Sequence, residues 1–464
     1  MKGESVKAFY FLFNIFWGDL FYIPLPNGSR VGIPLLVAIL IPLGIFFTIS
    51  LRFVQFRHLP DMVRIMKEKR GQHGRALSGL ETLIVSTATR VGMGNLVGVV
   101  AAISLGGAGA VFWMWLSAIL GAATAFAEGT LAQKYKTEDK LYGGYKGGPA
   151  YYLDHILKGK KKKSVIAVLF ALSGLLCWCG ISQVIGNSVS SALDNAFGIS
   201  PYISTVVLVA IAAFIVLRKN TSVKVLDVIV PVMAVLYFVI TLFIIIKNIT
   251  LLPMVFKRIF EEAFGIREAV AGGIGAVLMN GIKRGLFSNE AGSGSAPCAA
   301  AAASVRHPVE SGLLQALGVF IDTLVICSCS AFIMLLTPES IVGNKVGMDL
   351  LQSAMDYHLG SIGSIFVAVT IFLFSFSTFL GILFYARSNV SYVFGENWTS
   401  QTLYKILALV MLFIGGLAQY TFVWDLGDFG IALMTIFNLV ALLPLSKEVK
   451  QMLRDYEADK SLDN

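Results

Sequence analysis

Four polar residues stand inside otherwise apolar stretches: Glu81, Asn95, Glu128 and Asp322. Charge held within hydrocarbon is costly, so such residues mark ion or substrate pathways, proton relays or buried pairs. Asp322 is the deepest of the acids by count. It can serve a proton or a cation, or pair with a structural partner such as Arg90. Asn95 directly follows a Gly92-Met93-Gly94 interruption. Its side-chain carbonyl is an oxygen donor of the kind hard cations prefer, and Asn is also a favoured helix N-cap; both roles can hold together. The free amides of Gly94 and Asn95 would then point from a helix N-terminus, where a carboxylate binds. Further along, Ser375, Ser377 and Thr378 set hydroxyls midway in another apolar run. They can ligate a cation beside backbone carbonyls, or bond the i−4 carbonyl of their own helix.

The element that must position Asn95 is the stretch from Thr89 to Gly121, apolar enough for a bilayer yet broken in its first half. Backbone in lipid satisfies its own hydrogen bonds, so a broken helix persists only where it lines a protein-enclosed cavity. Broken helices near the midplane are where secondary transporters hold substrate and coupling ions. A solute carrier is the reading to test.

Composition agrees. The chain of 464 residues is 56% hydrophobic and 14% charged, well under the roughly 25% charge of soluble domains. Its apolar runs have the length of helical spans rather than barrel strands. This is an all-α polytopic membrane protein with eleven spans, at about 32–52, 78–104, 109–133, 164–190, 201–217, 223–246, 263–282, 310–336, 360–386, 402–419 and 428–446. The net charge of +9 falls between the spans, which is membrane orientation and not a nucleic-acid surface. The loop from Arg52 to Arg75 holds Arg52, Arg57, Arg64, Lys67, Lys69, Arg70 and Arg75 against Asp61 and Glu68. The next loop, Ser104 to Gly109, is uncharged, and the third carries the Lys160–Lys163 block. This alternation places the N-terminus outside and the tail from Lys447 in the cytoplasm.

The whole chain reads as one transmembrane domain. Residues 1–77 supply an interfacial aromatic helix, an extra span and a basic loop; 447–464 form the cytoplasmic tail. Between them, 78–246 and 263–446 make a five-plus-five division whose odd count gives inverted repeats. Glycine interruptions fall at the start of both halves: Gly92, Gly94 and Gly98, then Gly272, Gly273, Gly275 and Gly281. Matched interruptions of this kind point to a binding site. In the second half the break is placed at Gly272–Gly275, with Lys283 and Arg284 at the cytoplasmic end of the span and Ser288–Ser295 as an inner gate; a break at Gly281–Gly292 is the alternative.

Other chemistry is not supported by motif. There is no Gly-Lys-Ser/Thr phosphate loop, no His-Glu-x-x-His and no Gly-x-Ser-x-Gly elbow, so neither an enzyme nor an ATP-driven pump is indicated. The Cys177/Cys179 and Cys327/Cys329 pairs are too closely spaced for a metal fork on one helix face. They read, with Cys298, as small packing residues.

Several runs resemble a known family. GGAGAVFWMWLSAILG (Gly106–Gly121) looks like the signature of the sodium:alanine/glycine symporters, the alanine or glycine:cation symporter family. VGMGNLVGV (Val91–Val99), GGPAYYL (Gly147–Leu153) and RGLFSNEAGSGSAP (Arg284–Pro297) resemble its other fixed stretches, in order from about Leu77 to Gly381. The resemblance implies a leucine-transporter fold, ten core helices in two inverted halves plus one N-terminal helix, and a plasma-membrane amino-acid carrier. It implies a sodium site of backbone carbonyls near Ala88 and Val91 with Ser377 and Thr378 opposite. Substrate carboxylate would meet the amides around Gly92, Gly94 and Asn95, and its amine the second broken helix at Gly273–Gly275. Two positions depart from the family pattern: Met93 where a small Thr is usual, and Gly186 where Gln is usual. Both alter the lining of the expected pocket.

The expectation is thus sodium-coupled symport of a small neutral amino acid, alanine or glycine, with sodium as coupling ion and no organic cofactor. Proton coupling through Asp322 or Glu128, or a non-transporting amino-acid sensor, are the rivals.

Overall fold

The structure is a computed structural model that describes residues 2–24, 30–67, 90–158, 163–218, 226–266, 273–343 and 345–463. Helix α1 (Lys2–Trp17) leads into an antiparallel hairpin of β1 (Asp19–Pro24) and β2 (Arg30–Pro34). Helices α2 (Leu35–Ser50) and α3 (Leu59–Lys67) follow. A π-helical turn, Gly94–Gly98, runs into α4 (Val99–Gly106) and then α5 (Gly109–Lys134). The two-residue strands β3 (Thr137–Glu138) and β4 (Tyr145–Lys146) precede α6 (Pro149–Leu157).

Next come α7 (Val165–Phe197), α8 (Pro201–Val216), α9 (Leu226–Lys247), α10 (Leu252–Ala263) and α11 (Ile274–Asn289). Helix α12 (Pro308–Val319) continues through a second π segment, Phe320–Cys327, into α13 (Ser328–Leu335). The chain ends with α14 (Met348–Leu359), α15 (Ile362–Phe394), α16 (Trp398–Leu417) and α17 (Tyr420–Asp463).

Among the described residues six helices are long and apolar enough to cross a bilayer, or seven if α9 and α10, bent by 76° at their junction, count as one. The shorter apolar helices α2, α8 and Gly94–Gly106 stand beside them. The protein is therefore an all-helical, multi-pass membrane protein. Its spans drawn from sequence at 201–217 and 310–336 coincide closely with α8 and the continuous Pro308–Leu335 helix, and the span at 164–190 begins with α7, which runs seven residues further to Phe197.

Lipid offers no hydrophobic drive between helices, so they associate through close packing of small residues. Long α7 is the hub, contacting α15, α16 and α17, while α5 packs on α11 and α12. Gly430 shows how close the approach is: a Cβ there would run into the backbone of Cys177. Cys177 is itself fully buried, and its Sγ lies 3.6 Å from the Gly427 carbonyl. The α4–α5 turn closes through Gly107, whose φ of 73° favours glycine and whose N–H bonds Ile103 O at 2.8 Å.

The two ends of the bundle differ. At the hairpin side, Glu262 from α10 accepts the N–H groups of Ala108 (2.6 Å) and Gly109 (3.4 Å), satisfying orphan donors at the start of α5. At the opposite, tail side, α17 is tied back by Glu448 to Lys134 and Tyr135, and by Glu457 to Arg57 (2.6 Å) and His58 (3.0 Å).

Candidate functional site

The first interruption is built by Asn95. Its Oδ1 accepts the Gly92 N–H at 2.8 Å, while its own N–H reaches back to Gly92 O at 3.3 Å. The carbonyl end of the side chain therefore caps its own turn. The amide end crosses the molecule: Nδ2 donates to Asp322 Oδ1 at 2.7 Å, to the Asp322 carbonyl at 3.1 Å, and lies 3.3 Å from Ser288 Oγ. Two residues earlier, the Met93 N–H donates to Thr378 Oγ1 at 3.2 Å, bringing α15 against the break. Val91, Met93 and Asn95 are all fully buried.

The second interruption follows α11. The helix runs unbroken from Ile274 through Gly275 and Gly281 to Asn289, and the chain then turns at Glu290–Ala296. Among the described residues the break therefore lies beyond Gly273–Gly275, in the segment expected to form an inner gate and overlapping the far end of the alternative break at Gly281–Gly292; Gly272 is outside the described residues. Glu290 takes φ 57°, Gly292 φ 91° and Gly294 φ 81°. Glu128 of α5 holds this turn by accepting the Gly292 N–H at 3.0 Å, and Asn438 of α17 bonds both Glu128 and the Gly292 carbonyl. Tyr385 of α15 donates to Glu290 at 3.3 Å.

Between the two breaks sits Asp322, in the π segment of the third element. A π turn adds a residue and re-aims side chains, and such turns gather at functional sites. The Asp322 carboxylate accepts from Asn95, from Ser288 Oγ at 3.0 and 3.1 Å, and from Thr323 Oγ1 at 2.6 Å. Cys327 Sγ, 3.2 Å from Asn95 Nδ2 and 3.1 Å from Ser288 Oγ, closes the ring. Arg90 supplies the nearby positive charge; one nitrogen bonds Gln315 O at 3.1 Å, while Nε and the other terminal nitrogen are buried without hydrogen-bond partners among the described residues.

Gly92, Met93, Gly94, Asn95, Val91 and Thr378 thus come together. Ser377 Oγ and Thr378 Oγ1 both bond Phe374 O, at 2.8 and 2.9 Å, while Thr378 also receives Met93. Ala88 and Glu81 lie outside the described residues. Gly186 is buried in the α7–α16 seam, where a Cβ would collide with the Leu412 carbonyl and come within 2.7 Å of Gly416 N. Gly273 and Gly275 stand at the start of α11, beside Gly32 of β2 and the Trp17–Tyr22 wall of a surface cavity.

Lys283 and Arg284 are not at a cytoplasmic end. They sit in the middle of α11, between its hairpin-side start and the break, and are almost fully buried. Both engage Asp428 of α17: Lys283 at 2.7 Å, and Arg284 through two nitrogens at 2.9 and 3.2 Å. Lys283 also faces the rings of Phe13 and Trp17, and Arg284 that of Trp424. One turn below, Phe287 packs on Trp424 and reaches the faces of Gly94 and Gly98.

Ser288, Glu290, Thr323, Cys327 and Tyr385 are the site neighbours that residue type alone did not single out. The signal for Ser288 and Glu290 was their place in a polar run too hydrophilic for lipid. Cys327 carried none, since packing cysteines look the same in sequence.

Two interrupted helices meeting a long hydroxyl-bearing helix define a leucine-transporter-fold secondary carrier. The solved structures agree on fold: MhsT in complex with L-phenylalanine superposes with a TM-score of 0.52 at 14% identity, over 81% of this chain and 89% of that one. The Eremococcus coleocola manganese transporter in complex with an aromatic bis-isothiourea compound gives 0.51 at 13% identity, over 82% of this chain and 81% of that one. Residues 25–464 match the sodium:alanine symporter family, and the chain belongs to it. It is similar to the probable sodium/glutamine symporter GlnT of Bacillus subtilis, 42% identical over 92% of this chain and 88% of that protein. It is also similar to the sodium/alanine symporter AgcS of Methanococcus maripaludis, 35% identical over 90% of this chain and 93% of that protein. Membership makes the chain a sodium-coupled amino-acid symporter and not an enzyme.

Proposed function

We propose that this carrier moves a small neutral amino acid, alanine or glycine, inward across the plasma membrane together with sodium, by alternating access, with the hairpin side outward and the tail in the cytoplasm. The observation that carries the reading is the junction of Asn95, Ser288 and Asp322, where both chain breaks converge on one buried carboxylate. Substrate carboxylate docks at the Gly92–Asn95 break, where a helix N-terminus favours anions, taking over amides that Asn95 Oδ1, Thr378 Oγ1 and the Gly92 carbonyl hold in this structure. Sodium takes oxygen ligands from backbone near Ala88 and Val91 and from Ser377 and Thr378. The amine faces the second break, for which Gly273 and Gly275 were the expected lining and Ser288–Ser295 is the segment nearer Asn95.

Met93 and Gly186 then bear on substrate size in different ways. Met93 lies in the break itself. Gly186 acts at a distance, by letting α7 and α16 approach.

A single buried acid at the junction also favours a second reading, in which Asp322 carries a proton in place of sodium. Uptake of labelled alanine and glycine into proteoliposomes separates the two. Accumulation under an inward sodium gradient supports the proposal; accumulation under a pH gradient in sodium-free buffer supports the rival. Substrate binding with no counterflow would assign the chain to sensing.

A further inference from the structure

A cleft between the tail-side ends of α8, α15 and α16 has a graded chemistry that nothing in the transport cycle uses. Val216, Leu380 and Leu383 form one apolar wall, and Arg387 and Lys405 place two cations at its rim beside Tyr142. The Arg387 guanidinium is held between aromatic faces, 4.0 Å from the Phe384 ring centre and 5.0 Å from that of Tyr142. Its Nε is buried with no hydrogen-bond partner among the described residues. The nearest carboxylate, Asp139, stands 3.7 Å away and already accepts the N–H groups of Leu141 and Tyr142. Lys405 has no ion pair among the described residues. Asp139 thus pairs with Arg387 through Oδ2 alone, and two cations share one acid, leaving a positive charge to be met.

Depth decides what meets it. Arg387 precedes the end of α15 at Phe394, and Lys405 follows the start of α16 at Trp398, by the same seven residues. At about 1.5 Å per residue, both lie about 10 Å inside the tail-side helix ends. Helix α15 is about 50 Å long on the same rise, against a hydrocarbon core of about 30 Å. Both cations therefore sit at the boundary between headgroup and hydrocarbon, where long basic side chains snorkel. Leu383 and Leu380 continue one and two turns deeper along α15. From the rim inward the cleft offers cations, then an apolar strip.

We propose that this cleft binds an anionic phospholipid, its phosphodiester between Arg387 and Lys405 and one acyl chain along Val216, Leu380 and Leu383. Basic pockets between spanning helices on the cytoplasmic side recognise anionic headgroups in this way. A free phosphate would leave the apolar strip unused, and a zwitterionic lipid brings its own ammonium to the two cations. The proposal stands apart from the transport reading, since none of these residues belongs to the junction of the breaks.

The test is native mass spectrometry of the full-length protein after delipidation, with phosphatidylglycerol, phosphatidylcholine of the same acyl chains, and soluble glycerol phosphate offered separately. Phosphatidylglycerol is expected to be retained at least tenfold more strongly than phosphatidylcholine, with no adduct from glycerol phosphate. Retention should fall severalfold in Lys405→Gln and be lost in the Arg387→Gln/Lys405→Gln double variant. Should the double variant fail to fold, Lys405→Gln decides alone, because its side chain is partly exposed and has no ion pair among the described residues. Equal retention of the two lipids, retention unchanged in Lys405→Gln, or glycerol phosphate binding as tightly as the lipid would each overturn the proposal.

Discussion

Asn95 and Asp322, 227 positions apart in sequence, meet at 2.7 Å in the centre of the bundle, amide to carboxylate. The bond joins the first broken helix to the π segment of a helix from the other half. Ser288, at the end of α11, bonds both partners. Three interrupted elements therefore share one buried charge, and a change in any one is felt by the others.

Replacing that charge is the sharpest perturbation. Asp322→Asn keeps the shape but removes the negative charge that a bound cation would offset. The sodium concentration for half-maximal uptake should rise about 10- to 100-fold, the equivalent of roughly 1.4–2.8 kcal/mol. The check is a sodium titration of uptake at fixed substrate, and an unchanged titration would place the cation elsewhere.

Thr378 offers a second handle on the same ion. Its hydroxyl accepts the Met93 N–H and donates to Phe374 O, so Thr378→Val strands a buried backbone donor. That costs about 1–3 kcal/mol of stability, read as a lowered melting temperature, and sodium affinity should fall about tenfold. If Asn95→Ala and Thr378→Ala both leave sodium dependence untouched, the ion-site assignment is wrong even where transport survives.

Met93 is fully buried within the break. Met93→Thr shortens the side chain beside Gly94 and Asn95 and frees volume within the break. Competition for labelled alanine uptake should shift severalfold towards larger neutral amino acids, glutamine among them. An unaltered competition profile would remove Met93 from the substrate-size determinants.

Away from the junction, Asp428 forms ion pairs with both Lys283 and Arg284 in a buried setting. Removing one partner of such a pair leaves charge uncompensated, a cost of about 3–5 kcal/mol. Asp428→Asn should destabilise the detergent-solubilised protein by that amount, seen as a large fall in thermal unfolding temperature. A fall no larger than that of a surface control would show the cations to be solvated.

Much of the architecture was legible in residue order, because a bilayer forces length and polarity on every span. The α7, α8 and Pro308–Leu335 helices could be drawn from hydropathy, and Asn95 and Asp322 stood out as polar groups in apolar runs. The second break was harder. Gly273, Gly275 and Gly281 look like helix breakers, yet α11 runs straight through the last two, the small residues serving close packing. Gly281 faces Ala110 and Trp113 so tightly that a Cβ would collide. The real turn uses Glu290 in a left-handed conformation, held from outside by Glu128 and Tyr385, and no local pattern encodes that tertiary support. Lys283 and Arg284 misled for a related reason: in sequence they resemble a cytoplasmic flank, and Asp428, distant in sequence, neutralises them inside.

The central claim is that amino acid and sodium cross together through the junction of the breaks. Coupling is reciprocal, so a gradient of either must drive the other. Proteoliposomes given an inward alanine gradient, with equal sodium on both sides and radioactive sodium outside, should accumulate sodium transiently against no initial sodium gradient. Asp322→Asn should sharply reduce that accumulation. Alanine entry with no accompanying sodium flux would contradict the account.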